Sequence, residues 1–231
     1  MRPTLLPRAL TFFQVYPIVM SSRRPLLSLK ISSKSLQIVP LRQVLVFSRG
    51  SFDVSTKAVF LDRDGVINVK LPENQYVRRP SELVLLPGVR EALRILGQLG
   101  YLIIVVTNQR GIGRGFMTVD DLGEVHDHLK RELEKGNARI DAIYYCPHDV
   151  SECCTCRKPE PGLLLAALSE WDVDATESFM VGDSASDVVA GSKAGIVTVR
   201  IAQEKDEAAD MSFSSLIDFA RYLESIHNGR N

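Results

Sequence analysis

The stretch Ala58-Val59-Phe60-Leu61-Asp62-Arg63-Asp64-Gly65 decides the fold. Four apolar residues are too few for a helix and show no polar alternation, so they read as a strand buried on both faces and stopped by an acidic turn. The same form recurs along the chain. Residues 101–106 run into Thr107-Asn108-Gln109, and 178–181 into Gly182-Asp183-Ser184-Ala185-Ser186-Asp187; 140–145 and 196–201 are further apolar runs of strand length. Between them, 89–99, 119–134, 162–171 and 185–194 carry apolar residues three or four apart, as Val119, Leu122, Val125, Leu129 and Leu133 do. That spacing is the mark of amphipathic helices. Thr118 with Asp121 has the capping-box pattern, and Ser215 opens a final helix with Leu216, Phe219, Ala220, Leu223 and Ile226 on one face. Strand and helix in alternation predict an α/β, three-layer, Rossmann-like fold with a parallel sheet. Ligands of such sheets sit beyond the carboxyl ends of the strands, so the acidic turns become the place to look for chemistry.

The chain is long enough, at 231 residues, for one domain with a substantial core, and its 45% hydrophobic and 24% charged residues are those of an ordinary globular protein. Zero formal net charge argues against nucleic acid or an anionic membrane as partner, but the average hides a division. Residues 1–52 hold eight basic residues and no acidic one, which leaves the remainder at net −8. This opening stretch is also rich in serine, and its apolar pieces are shorter than a bilayer span. It has the composition of an organellar transit peptide; a disordered tail or a mis-started extension is the alternative, and in each case the fold is expected within 53–231. The cytoplasm is the expected compartment, an organelle the alternative. A monomer is the default.

Asp62, Asp64, Asp183 and Asp187, with the Thr107 hydroxyl, converge on one sheet edge. Carboxylates crowded in a cleft repel unless a cation neutralises them, and magnesium is the natural occupant because it takes oxygen ligands and tolerates waters and a phosphate oxygen. His126 and His128 stand two apart on the second helix, hence on different faces, and are expected at the surface, as is His227. Trp171 and 163–168 are expected in the core.

Phe60-Leu61-Asp62-Arg63-Asp64-Gly65-Val66, Val106-Thr107-Asn108, Arg157-Lys158-Pro159 and Val181-Gly182-Asp183-Ser184-Ala185-Ser186-Asp187 resemble the four ordered motifs of the haloacid dehalogenase superfamily of phosphatases. The resemblance extends over 57–201. It implies a magnesium-dependent phosphatase in which Asp62 is the nucleophile and forms an aspartyl-phosphate, and Asp64 protonates the leaving alkoxide and then deprotonates water. It also implies that Asp62, the Asp64 backbone carbonyl and Asp183 bind magnesium, with Asp187 ligating through water or orienting the shell. Lys158 becomes the cation on the transferring phosphoryl group, and Thr107 and Asn108 its neutral donors. Arg63 and Gln109 join the substrate contacts.

Cys146-Pro147-His148 is followed after five residues by Cys154-Thr155-Cys156. Three thiolates and an imidazole make a closed set of the kind that holds structural zinc. Cys146, His148, Cys154 and Cys156 are the expected ligands and Cys153 a bystander, since adjacent cysteines diverge. Arg157 and Lys158 follow the last ligand directly, so a zinc-stabilised loop would hold the lysine in place. This loop is similar to that of a subgroup containing the D-glycero-D-manno-heptose 1,7-bisphosphate 7-phosphatases and the histidinol-phosphate phosphatases. Asn108-Gln109-Arg110-Gly111-Ile112-Gly113-Arg114-Gly115 resembles the heptose enzymes, while the short interval between His148 and Cys154 resembles the histidinol-phosphate ones; Ser184 stands where the heptose enzymes commonly have lysine. Charge complementarity favours the bisphosphate, with Arg110 and Arg157 reading its far end. The partner is a small phosphorylated metabolite. A non-catalytic zinc-loop binding module is the rival of another class.

Overall fold

Residues 19–21 and 55–229 are described by the structure, a computed structural model. Six parallel strands and one antiparallel edge strand form the sheet: β1 (Val19–Ser21), β2 (Ala58–Leu61), β3 (Leu102–Asn108), β4 (Ala142–Cys146), β5 (Phe179–Gly182), β6 (Val197–Ile201) and β7 (Met211–Phe213). Their spatial order is β1-β4-β3-β2-β5-β6-β7, with β1 antiparallel to β4. Among the described residues five α-helices accompany them: α1 (Val89–Gln98), α2 (Val119–Glu134), α3 (Gly162–Trp171), α4 (Ala185–Lys193) and α5 (Leu216–Gly229). None of these is long and apolar enough to cross a membrane.

Alternation along the strands builds the three layers, because successive side chains point to opposite faces. Val59 and Leu61 join Ile103, Val105 and Val181 under α1, α2 and α5, whose Leu93, Leu129 and Phe219 are fully buried there. Ala58 and Phe60 face the other way, with Ile104, Val106 and Met180, against Leu163, Leu164 and Ala167 of α3. The helix starts follow their sequence signals: Thr118 and Asp121 form a reciprocal capping box on α2, and Ser184 with Asp187 does the same on α4.

Several expectations need correction. Strand β3 extends to Asn108, beyond the predicted end at 106, because Thr107 and Asn108 still pair with Tyr145 and Cys146 of β4. β7 has no signature in the sequence, since three half-buried residues give no periodicity. Three residues of the basic extension, left outside the fold on composition, add the edge strand β1; the rest of 1–52 lies outside the described residues. In the run expected to be core, Leu165 is 49% exposed and Trp171 is only half-buried, its indole donating to the Tyr144 hydroxyl at 3.1 Å. His126, expected at the surface, is 0% exposed. It lies four residues after Leu122 and three before Leu129, on the same stripe of α2 that packs on the sheet.

The chain runs from β2 through β3 to β4 on one side, then returns to place β5 on the other side of β2. Loops after β2 and β5 therefore leave in opposite directions and open a crevice between them, the place where such sheets bind ligands. Asp62 follows β2 and Asp183 follows β5.

Candidate active site

Asp62 is seated by its own backbone, whose N–H donates to Val181 O of β5 at 2.9 Å. Its Oδ1 accepts from the Arg63 N–H at 2.8 Å and lies 2.9 Å from Lys158 Nζ. Lys158 is buried, and its ammonium meets three partners: Asp62, Asp187 Oδ1 at 2.6 Å and the Val106 carbonyl at 2.7 Å. Those match its three donors. Burial alone would depress the Lys158 ammonium, but the charges of Asp187 and Asp62 outweigh it and hold the pKa above its ordinary value. Burial pushes the Asp62 carboxyl up to about 7, with Asp187 and Asp64 adding to it and Lys158 opposing. Burial also raises Asp187, but there the Lys158 charge and the bonds from Lys158 and Ser184 prevail and the pKa is lowered.

Lys158 is positioned by Asn108. The Asn108 side-chain amide donates to Lys158 O at 3.0 Å and its Oδ1 accepts from Lys158 N at 3.1 Å. Asn108, expected as a phosphate donor, thus has both ends of its amide on the lysine backbone. Arg63 and Gln109, expected among the substrate contacts, border the cleft but are almost wholly buried, 1% and 2% exposed. Arg63 Nη2 donates to both Asp64 oxygens, at 3.1 and 2.9 Å, and to Gln109 Oε1 at 3.2 Å. Gln109 Nε2 donates to Asp64 Oδ2 at 3.0 Å and Thr107 Oγ1 at 2.9 Å, and Asn68 Nδ2 donates to Asp64 Oδ1 at 2.9 Å. Burial raises the Asp64 carboxyl, but the Arg63 charge and these bonds together hold it below the usual aspartate value. A buried frame thus fixes this carboxylate at the cleft.

Asp183 differs from the other acids. Its Oδ2 meets Lys70 Nζ at 2.6 Å, while its Oδ1 is buried with no hydrogen-bond donor among the described residues. A buried carboxylate oxygen without a donor is costly, and a bound cation would satisfy it. Oxygen atoms of Asp62, Asp183 and Asp187 lie within 4.8 Å of one another, so an all-oxygen donor set suited to a hard divalent ion is in place. Gly65, at φ +94°, leaves room for it: a Cβ there would collide with the Asp183 carboxylate.

Asp62, Asp64 and Asp187 line a cleft of about 280 Å³ together with Thr107, Lys158, Arg110 and Arg157. Arg110 donates from Nε to the Tyr76 hydroxyl at 3.0 Å and from Nη2 to Asn74 Oδ1 at 2.9 Å, and Arg114 Nη1 reaches the same Asn74 oxygen at 2.7 Å. Two guanidinium groups therefore meet neutral acceptors at one rim. Nη1 of Arg157 is buried and has no hydrogen-bond partner among the described residues.

At the end of β4, Cys146, His148, Cys154 and Cys156 come together. The Sγ atoms of Cys146, Cys154 and Cys156 are 3.3–3.5 Å apart, and His148 Nδ1 lies 3.6 Å from Cys146 Sγ and 3.2 Å from Cys156 Sγ. A tetrahedral zinc shell with bonds of ~2.3 Å has ligand separations of ~3.7 Å, so the cluster has the right size and donors for that ion. Hydrogen bonding to Cys146 first, and to Cys154 and His148, brings the Cys156 thiol down to about 5, while the bond to Cys156 and burial drive Cys146 up. One thiolate is thus already favoured without a metal. Cys153 is exposed and turned to Val150 O, outside the cluster.

Lys70 was missed by the sequence reading, because a lone lysine beyond an acidic turn carries no pattern. The cleft role of Asn68 rests on contacts that no spacing announces.

A family model described as HAD-hydrolase-like matches residues 155–225. The D-glycero-beta-D-manno-heptose-1,7-bisphosphate 7-phosphatase of Haemophilus influenzae is 37% identical over 183 residues, covering 74% of this chain and 98% of its own length. The D-glycero-alpha-D-manno-heptose-1,7-bisphosphate 7-phosphatase of Campylobacter jejuni is 40% identical over 173 residues, covering 74% and 98%. Among solved structures, a D,D-heptose 1,7-bisphosphate phosphatase from B. bronchiseptica, crystallised with magnesium and phosphate, aligns with a TM-score of 0.67 at 32% identity, over 74% of this chain and 98% of that one. With such relatives matched over nearly their whole length, and with its acids gathered at the β2/β5 crevice, the chain belongs to the haloacid dehalogenase-like phosphatases, phosphoric monoester hydrolases grouped with the heptose-bisphosphate 7-phosphatases.

Proposed function

We propose that the cleft removes the 7-phosphate from D-glycero-D-manno-heptose 1,7-bisphosphate through an aspartyl-phosphate on Asp62. The observation that carries this reading is the pairing of Asp62 with the buried Lys158 at 2.9 Å, beside an Asp183 oxygen that has no donor. Asp62, the Asp64 backbone carbonyl and Asp183 would hold magnesium, with Asp187 supporting the shell; the ion supplies positive charge to the phosphoryl oxygens and to the acids around it. The Asp62 carboxylate attacks phosphorus as the bond to the ester oxygen breaks, and Asp64 passes a proton to that oxygen. The negative phosphate raises the Asp64 pKa as it binds, which favours the protonated form needed for that step. Asp64 then takes a proton from the water that attacks the acyl phosphate, releasing inorganic phosphate and restoring Asp62. Lys158 balances the charge on the phosphoryl group throughout, with Thr107 as a neutral donor from the end of β3.

Arg110 and Arg157 fit the second phosphate, since both line the cleft and a guanidinium grips phosphate with two bonds. Zinc on Cys146, His148, Cys154 and Cys156 would serve structure alone, because four protein ligands leave no open position. Unlinked cysteines suit the reducing cytoplasm, which is the compartment proposed. The five-residue interval between His148 and Cys154 keeps histidinol phosphate as the competing substrate. A phosphate-release assay with magnesium, run on the alpha and beta heptose 1,7-bisphosphates and on histidinol phosphate, tests the choice. The largest kcat/KM is expected for a heptose bisphosphate. Preference for histidinol phosphate would overturn the substrate, and absence of turnover on all three would point to the binding-module reading.

A further inference from the structure

We propose that His126 is a positioning residue for the phosphatase reaction, holding the Arg63 guanidinium so that Asp64 stays aimed at the leaving-group oxygen. This rests on Asp64 being the proton carrier of the preceding reading. His126 lies on α2, one helix away from the catalytic loops, and is 0% exposed. Its Nε2 is 3.2 Å from Arg63 Nη1. Arginine has donors only, so Nε2 is the acceptor and the ring is neutral with its proton on Nδ1. Burial, followed by the Arg63 and Lys130 charges, lowers its pKa well below the usual histidine value, with only Asp64 opposing; the neutral form is therefore the one present at the pH of the reaction.

The line continues from Arg63 to Asp64. Nη2 of Arg63 donates to both Asp64 oxygens and to Gln109, whereas Nε of Arg63 has no partner among the described residues. His126 is thus the acceptor on the far side of the guanidinium from the carboxylate, and without it that plane is fixed only from the Asp64 and Gln109 side. Packing fixes His126 in turn: its ring meets Tyr145 edge-on, with centroids 6.1 Å apart, and α2 is anchored by the Thr118 capping box. A general acid must stand within hydrogen-bond reach of the oxygen it protonates, so a loosened Asp64 costs rate where the leaving group needs a proton.

Leaving-group dependence supplies the test. Heptose 1,7-bisphosphate releases a poor alkoxide, whereas p-nitrophenyl phosphate releases a phenolate that departs unprotonated. His126→Leu is expected to lower kcat on the heptose bisphosphate about 10- to 100-fold, a part of the ~10²–10⁴ that acid–base catalysis contributes, with KM and the magnesium half-saturation unchanged. On p-nitrophenyl phosphate the loss should be less than about threefold, and His126→Gln, whose amide oxygen can occupy the Nε2 position, should recover most of the heptose activity. Equal losses on both substrates, or no loss on either, would overturn the proposal. Should His126→Leu fail to fold, His126→Asn, too short to reach Arg63, gives the same contrast. Asp64→Asn is measured alongside. If it does not discriminate between the two esters, the proton-transfer reading fails and the positioning role fails with it; if it does and the His126 variants do not, only the positioning role is lost.

Discussion

Removing Lys158 would leave Asp62 and Asp187 buried without their shared cation, 2.9 and 2.6 Å from where it stood. Breaking a buried ion pair from one side is strongly destabilising, and Lys158→Met is expected to cost about 3 kcal/mol near pH 8. The sign with pH follows from proton binding. Without Lys158 the Asp62 carboxyl, already raised by burial, loses the charge that opposes that rise, so the folded form binds more protons and loses stability as pH rises from about 4 through the raised value. Urea unfolding at pH 5 and pH 8 should show the smaller deficit at pH 5; a larger deficit there would contradict the charge assignment. Asp62→Asn is the converse case. It removes the nucleophile yet keeps the shape, and kcat is expected to fall by about 10³-fold or more while the thermal midpoint holds or rises, since a desolvated charge is lost. At this scale the sequence showed the residue types but not their orientation. Asn108, Gln109 and Arg63 stand at the strand ends and line the cleft, and there they also grip Lys158 and Asp64.

At the scale of elements, residues 147–157, between β4 and α3, are half-buried or exposed, and the Cys146, His148, Cys154 and Cys156 cluster at this stretch passes directly into Arg157 and Lys158. Chelating the zinc proposed for it should raise amide hydrogen exchange across 146–156 and lower kcat by about 10-fold or more, the scale of losing an outer support, while the magnesium half-saturation stays put. Full activity with a demonstrably metal-free cluster would remove the loop from the mechanism. The cluster was legible in the sequence because thiols and imidazole at those intervals have few other uses. Helix α2 shows the opposite case: its apolar stripe is readable in the sequence, but the burial of His126 on that stripe is not. Periodicity marks a buried face; it does not say that a polar group there has found a partner.

At the scale of the whole molecule, among the described residues both core layers and the charged groups that line the cleft lie within 55–229. A chain beginning at Ser55 is therefore expected to fold and keep its kcat, with a modest drop in thermal midpoint from the lost pairing of β1 on β4. Loss of turnover in that shortened chain, measured beside the full one by phosphate release, would show that the basic extension takes part in the site.

The sequence by itself determined the alternation of strand and helix, the acids at the strand ends and the metal-binding residue types, because these depend on local periodicity and on chemistry that few other residues can perform. Which side chain meets which was decided by the tertiary structure alone. The return of β5 to the far side of β2 brings Asp183 and Asp187 to Asp62 across more than a hundred residues, and the packing of α2 places His126 against Arg63. Such contacts follow from where the layers close, a property of the folded chain as a whole that no short stretch of it contains.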